Sequence, residues 1–460
     1  MTMAAASEKL QQRPAGAGGR VSSGAYFSSS PAVRVVDTAL VRPSSGPGPP
    51  EETSLPLTFF DVFWLRQPPV QRVFFYRLAP DADADAVPAA SGTANRYELH
   101  YSPGDAVAFT VAEYDGDHDF DSLAADEPRD VARIAPLAPP LPDGGVVLAL
   151  QATLLSGGRR GLALGVTVHH AACDGAAATH FLHTWAAVAG RSSNVGSQAR
   201  PPPPPPVIDM RGLYDLLCPA VAAPLTTTED KKMPDDQLFA TFTLSRDHLQ
   251  RVKDAVAATG AAPPPRCTSL VAALGLVWSC YQRANPRGGD GSSSGSDRTC
   301  LLFSVDYRSR LRPPLPDKYF GNCIGGALVI ASRTELAAAG GLLAACTAVA
   351  AGIEEALSGD ATETMCVMKE RFRELVVTKT GMLSVAGSPR FRVYDLDMGF
   401  GRPAKVDIVS VARTGAIAVA ESRAGDGGIE IGVSLLPEGM DAFRECFADA
   451  VAGLYLEVKH

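Results

Sequence analysis

The chain has 460 residues, with 42 basic and 50 acidic side chains and a formal net charge of -8. That balance argues against a dedicated nucleic-acid binder, so an anionic ligand would need a local positive site. The length suits three average domains or two larger ones, and the 46% hydrophobic content is ordinary for a globular protein.

Residues 1–31 read as a disordered N-terminal extension. The first 33 residues are rich in Ala, Ser and Gly, with Glu8 the only acid. That composition is compatible with a transit peptide, a loose tail or a start placed too early. Ala32–Val41 alternates like a strand. "SSGPGPPEETS" (44–54) is a loop by composition, and "LTFFDVFWL" (57–65) is an aromatic-rich, core-seeking segment. "GVVLALQATLL" (145–155) and "GLALGVTVH" (161–169) read as buried strands joined by the turn "SGGRR" (156–160). Ala176–Ala189 follows as a helix, with Phe181, Trp185 and Val188 on one face.

Residues 190–236 hold six consecutive prolines at 201–206 and mark a crossover linker between two halves, 32–189 and 237–460. The second half opens with a strand, then Ser245 as a helix N-cap candidate. Residues 267–284 form a buried helix started by Thr268 or Ser269. "GGDGSSSGS" (288–296) is a flexible loop. Strands follow at 299–307 and 325–332, then a helix over Glu335–Leu357 with Thr334 as its cap. A strand at 428–436 and a helix over Met440–Leu456 close the chain. Alternating strands and helices in both halves indicate an α/β fold.

The nine cysteines are scattered and form no CxxC pair, which suits reduced thiols in the cytoplasm. No run of 18 uncharged apolar residues stands outside Gly/Ala-rich helix candidates, so no membrane span is expected.

The sharpest constellation is "VTVHHAACDG" (166–175). A buried strand delivers His169 and His170 at its end, and Asp174 sits where a helix N-cap is wanted. An imidazole facing a cleft can act as a general base near neutral pH. Taken alone, the pattern is equally a core histidine with a capping aspartate. No third ligand has metal-site spacing, so no metal is expected. No GxSxG is present for a serine hydrolase.

"HHAACDG" followed by "DMGFGRP" (397–403) resembles the HxxxD and DFGWG signatures of the BAHD acyltransferases, a plant CoA-dependent family. "SLPLTFFDVFWL" (54–65), "SVDYRSRLRPPLP" (304–316), "YFGNC" (319–323) and "VAGSPRFRVYDLDMGFGRP" (385–403) resemble its flavonoid and phenolic glucoside malonyltransferase branch. The resemblance runs from about Ala32 to the C-terminus. It implies two CoA-dependent-acyltransferase-like domains, each a mixed sheet with helices, with a channel between them. It implies His170 as the base that deprotonates an acceptor hydroxyl for attack on an acyl-CoA thioester, with no covalent acyl-enzyme. Asp174 would turn away from the reacting centre and pair with an Arg that Arg308 resembles, a pairing that can be bidentate.

Asp397 matches the aspartate of the second signature, whose loop is mainly structural in the family and whose Asp is sometimes called functional. Met398 and Phe400 replace its two aromatic positions. By itself "DMGFG" is also a Gly-rich turn.

The implied co-substrate is acyl-CoA, malonyl-CoA favoured, with no permanently bound cofactor. Thr268, Ser269, Arg308 and Arg390 are the residues expected to hold it. Arg390 is a candidate for the malonyl carboxylate, though it reads more readily as a surface salt-bridge residue. Arg251, Lys253, Arg283 and Arg287 are further candidates for the CoA phosphates or simply solvated helix residues. His180 and His183 read as packing or surface residues. The implied acceptor is a phenolic or flavonoid glucoside and the implied state a cytoplasmic monomer, with the plastid as the alternative compartment. A hydroxycinnamoyl transferase and a catalytically impaired relative are the competing readings. The second arises because only the 17 residues Ala79–Asn95 stand where the family has a long helix and a "YPLAG"-like block. Losing that helix would uncover an apolar sheet face.

Overall fold

Strands from both halves assemble into two large mixed sheets of six and seven strands, with a small three-stranded sheet beside them. The computed structural model describes residues 32–42, 52–78, 93–94, 98–116, 119–155, 161–193, 232–258, 266–285, 297–359, 361–378 and 380–456. The first half contains β1 (Val33–Val41), β2 (Thr53–Pro56), α1 (Phe59–Val62), β3 (Val70–Arg77), β4 (Thr93–Ala94), β5 (Glu98–Tyr101), β6 (Val107–Tyr114), α2 (Phe120–Leu123), β7 (Arg129–Asp130), α3 (Val131–Ile134), β8 (Leu148–Leu155), β9 (Gly161–Val168) and α4 (Gly175–Ser193). The second half begins with β10 (Leu238–Leu244), α5 (Arg246–Ala258), α6 (Ser269–Ala284), β11 (Arg298–Asp306) and β12 (Ile324–Ser332). It continues with α7 (Arg333–Ala337), α8 (Gly341–Ser358), α9 (Ala361–Val377), β13 (Gly381–Gly387), β14 (Lys405–Ile408), α10 (Val411–Thr414), β15 (Ile417–Glu421), β16 (Ile429–Leu435) and α11 (Pro437–Gly453).

The first sheet runs β1-β6-β8-β9-β3-β14 and the second β12-β11-β13-β15-β16-β10-β7. The α/β reading of the sequence therefore holds. Each half lends a strand to the other. β7 pairs with β10 in the second sheet, and β14 pairs with β3 in the first. Residues 1–31 and 194–231 lie outside the described residues, as does the turn at 156–160.

β9 is buried from Gly161 through Thr167, so it shows no apolar alternation. A strand covered on both faces reads this way. On one face Phe74, Leu150 and Leu164 pack with Leu182 and Trp185 of α4. On the other, Phe75 and Ala163 pack with Ile134 of α3 and with Leu137. At Gly165 the backbones come close, since a Cβ there would lie 2.0 Å from the Leu137 carbonyl oxygen.

In the second half α6 is buried along most of its length, between α8 and α11. α8 is long and apolar enough to cross a membrane, and its Cys346, Val349 and Ala350 belong to this same core. Helix boundaries differ from the sequence reading: the closing helix runs Pro437–Gly453 instead of Met440–Leu456, and the one expected over Glu335–Leu357 is divided. Ser332, not Thr334, caps α7 by accepting from Glu335 N at 3.0 Å, and α7 ends at Ala337. The Gly340–Gly341 pair breaks the expected single helix, and α8 starts afresh at Gly341. α9 was not anticipated, and it covers β12 through Met368.

The expected helix loss over Ala79–Asn95 lies outside the described residues, save for β4. In the six-stranded sheet, β1 and β6 leave Val35, Leu40 and Val111 exposed.

Candidate active site

β9 ends at Val168, and the chain turns at once. His169 N donates to Val147 O at 2.8 Å, and Ala172 N donates back to His169 O at 3.0 Å. Ala171 N also donates to His169 Nδ1 at 3.2 Å. The turn delivers Asp174 to the start of α4, where its Oδ1 accepts from Ala177 N at 3.0 Å. This is the capping role its position called for.

Asp174 is buried and faces the second half of the chain. Its Oδ2 lies 2.8 Å from Arg308 Nη2 and accepts from Cys323 N at 3.0 Å. The same Nη2 donates to Oδ1 at 3.0 Å, so one amino group straddles both oxygens instead of forming a two-pronged fork. Arg308 Nη2 also donates to the carbonyls of Tyr319 and Gly321, while Nη1 turns to Asp306. Arg308 is thus occupied inside the protein and does not line the cavity described next.

His170 lies on the wall of a cavity of about 1780 Å³ shared by both halves. A drug-sized ligand needs only ~300–1,000 Å³, so this space admits two substrates together. Desolvation pushes the His170 imidazole down to about 4, against the opposing pull of its own backbone carbonyl, the Asp174 carboxylate and the Asn322 side chain. The ring is therefore neutral at pH 7 and able to accept a proton. Its Nδ1 is buried without a hydrogen-bond partner. The face of the ring lies on Trp64, with centroids 3.6 Å apart and planes 11° apart.

Trp64 follows α1, whose start is fastened by Asp61. Asp61 Oδ2 accepts from Thr58 N at 2.7 Å and Thr58 Oγ1 at 2.6 Å. Asp61 Oδ1 accepts from the backbone and side-chain nitrogens of Asn322 at 3.0 and 2.9 Å. Asn322 Nδ2 also donates to His170 O at 2.9 Å. Burial holds the Asp61 carboxyl above its ordinary range, against these hydrogen bonds. Reading the sequence placed "LTFFDVFWL" in the core and missed this network. Phe60 is indeed core, but Trp64 is half-buried in the cavity wall. The available signal was Asp61, a lone acid in an aromatic run.

Thr268, Ser269 and Arg390 also line the cavity, together with Arg266. Thr268 caps α6 by accepting from Val271 N, and Ser269 Oγ accepts from Lys253 Nζ at 2.9 Å. Arg251 pairs with Asp247, and Arg283 lies 4.0 Å from Asp449. Arg287 lies outside the described residues. His180 and His183 are half-buried on α4.

Asp397 stands off the cavity wall. Its Oδ1 accepts from Gly399 N at 2.8 Å and Gly401 N at 2.9 Å, closing a loop in which both glycines have positive φ. Met398 and Phe400 take apolar positions, Met398 buried and Phe400 edge-on to Tyr76. Among the described residues, no group of three His, Cys, Asp or Glu side chains could hold a metal ion.

Two sheets joined through a shared cavity, with an HxxxD turn on its wall, define a two-domain acyltransferase architecture. The profile of the Transferase family matches residues 102–450. A malonyl-CoA:anthocyanidin 5-O-glucoside-6''-O-malonyltransferase of Arabidopsis thaliana is 30% identical, over 91% of this chain and 98% of its own. Phenolic glucoside malonyltransferase 1 of Arabidopsis thaliana is 32% identical, over 89% and 96% respectively. The crystal structure of vinorine synthase shares the fold with a TM-score of 0.67 at 18% identity, over 89% of this chain and 96% of its own. The chain belongs to this transferase family, the BAHD acyltransferases.

Proposed function

We propose that this enzyme moves an acyl group, malonyl favoured, from acyl-CoA to a hydroxyl of a phenolic or flavonoid glucoside. The observation that carries the reading is the neutral imidazole of His170 on the wall of a cavity large enough for both substrates. The names of the similar Arabidopsis enzymes supply the substrate class.

In this mechanism His170 takes the proton of the acceptor hydroxyl as its oxygen attacks the thioester carbonyl. A tetrahedral oxyanion forms. It collapses with cleavage of the carbon–sulfur bond, and the CoA sulfur leaves and recovers the proton from the imidazolium. The acyl group passes directly to the acceptor. Asp174 acts through the turn it anchors and Asp397 through its loop. Thr268, Ser269 and Arg390 are assigned to the acyl-CoA side of the cavity. Seven cysteines of the described residues are free thiols, which supports a reducing cytoplasmic setting, and we assign a monomer.

The test is a donor panel with a flavonoid glucoside acceptor, run on wild type and His170→Ala. Product mass with malonyl-CoA is expected, with turnover falling about 10²–10⁴-fold in the variant. Undiminished turnover in a folded His170→Ala would overturn the base. Product from coumaroyl-CoA alone would reassign the donor. A CoA-shifted melt of wild type with no product from any donor would point to an impaired relative.

A further inference from the structure

A histidine base ordinarily has its second nitrogen pinned by a carboxylate or a carbonyl, which fixes the ring's orientation. Here no carboxylate does so, and the ring's own backbone carbonyl and the Asn322 side chain are its polar neighbours. Asp174 is the nearest carboxylate in sequence, and its two oxygens are taken by Ala177 N, Arg308 and Cys323 N. His170 Nδ1 has no hydrogen-bond partner, although the atom is buried. Neither neighbour holds the face of the ring.

That face meets Trp64, whose ring system lies parallel to the imidazole at 3.6 Å. We propose that Trp64 is the positioning residue of the base, its aromatic face orienting His170 in place of a carboxylate and favouring the imidazolium that forms during transfer. This rests on the reading of His170 as the base.

Two features of the structure show that the stack is built. First, Trp64 is fixed independently of His170. The capping interactions of Thr58 and Asp61 set the start of α1, and Asp61 is tied to Asn322. Asn322 also holds the His170 carbonyl. The ring of His170 and its own backbone are therefore gripped from one connected unit. Second, the chemistry suits the arrangement. A cation over an aromatic face is attracted by the ring quadrupole, and Trp is the strongest such partner. The neutral ring gains little from this, whereas the protonated ring gains more. The contact therefore strengthens as the proton arrives, which lowers the barrier instead of merely tightening the ground state.

Two substitutions separate this role from packing. Trp64→Phe keeps an aromatic face, and Trp64→Leu keeps apolar bulk without one. Trp64→Leu is expected to lower kcat about 10–100-fold, the scale on which a misplaced catalytic group is felt. The KM for malonyl-CoA should stay within about 2-fold, and the melt with and without CoA should match wild type. Trp64→Phe is expected to hold kcat within about 3-fold of wild type, since the stack survives. Equal losses in both variants, or wild-type kcat in Trp64→Leu, would overturn the proposal. His170→Ala is measured alongside. If it is inactive while Trp64→Leu is normal, only this proposal fails. If it is fully active, the base itself fails.

Discussion

Asp174 and Arg308 lie 134 positions apart in the chain, yet their charged groups meet at 2.8 Å. Both are buried; Asp174 also accepts from Cys323 N across the halves, and Arg308 donates to Gly321 O within its own. The pair therefore fastens the His170 turn of the first half to the loop after β11 in the second. Removing one partner leaves an uncompensated buried charge, which costs about 3–5 kcal/mol. Asp174→Ala and Arg308→Ala are each expected to lower the unfolding free energy by that amount, and to lower turnover through loss of the turn. Denaturant melts followed by two probes check this. Unfolding free energies within about 0.5 kcal/mol of wild type would show that the turn stands without the pair.

The lowered pKa of His170 makes a prediction about pH. The ring titrates near 4 in the folded protein against 6.5 when unperturbed. The base form thus persists through mildly acid conditions, and kcat/KM should stay flat from pH 8 to about 5.5. Stability runs the other way from a paired histidine. The unfolded chain takes up the proton first, so the stability that this neutral ring contributes is present above 6.5. It is lost as pH falls from 6.5 through about 4. His169, also lowered by burial, adds in the same direction. Melts of wild type and His170→Ala at pH 7 and pH 5 should show the smaller pH penalty in the variant. An acid limb centred at 6.5 would contradict the buried, neutral ring.

Much of this architecture was written locally. β9 is a run of small and branched apolar residues, His170 sits just beyond its end, and Asp174 caps the next helix, so strand, turn and helix could be read in order. The α7–α8 break was misread because alanines on either side of Gly340–Gly341 carry the apolar period through. β7 and β14 are two and four residues long, too short for periodicity, and their pairing depends on partners far away in sequence. The site divides in the same way. Arg308 could be assigned to Asp174 only through the family resemblance. Trp64 gave no sign of its role, because a stacking contact between distant segments leaves no local pattern.

Asp397 offers a sharper test of function against structure. Its Oδ1 receives two glycine amides and so shapes the loop that follows Leu396, whose carbonyl accepts from Tyr76 at 3.1 Å. An amide oxygen can accept the same bonds. Asp397→Asn should therefore retain most stability and turnover, while Asp397→Ala should lose about 1–2 kcal/mol and less than 10-fold in kcat. Melting temperature and kcat measured on both variants decide the matter. Abolished turnover in Asp397→Asn with an unchanged melt would assign the carboxylate a direct chemical part.

Gly165 links packing to chemistry, because β9 carries His170. A Cβ at this position would meet Leu137 O at 2.0 Å and Ala138 Cα at 2.8 Å, both backbone atoms that cannot swing aside. The strand must shift instead, and overpacking of this kind costs about 1–3 kcal/mol. A shift of β9 moves the turn that aims His170, so Gly165→Ala should lower kcat more than it raises KM. Gly439 in α11 is the control, since a Cβ there meets only Leu435 Cβ at an ordinary 3.7 Å. Gly439→Ala should hold or slightly raise the melting temperature, because alanine is the better helix former. Equal melts and equal turnover in the two variants would mean that β9 has room to spare. The close approach of Leu137 would then have no part in setting the base.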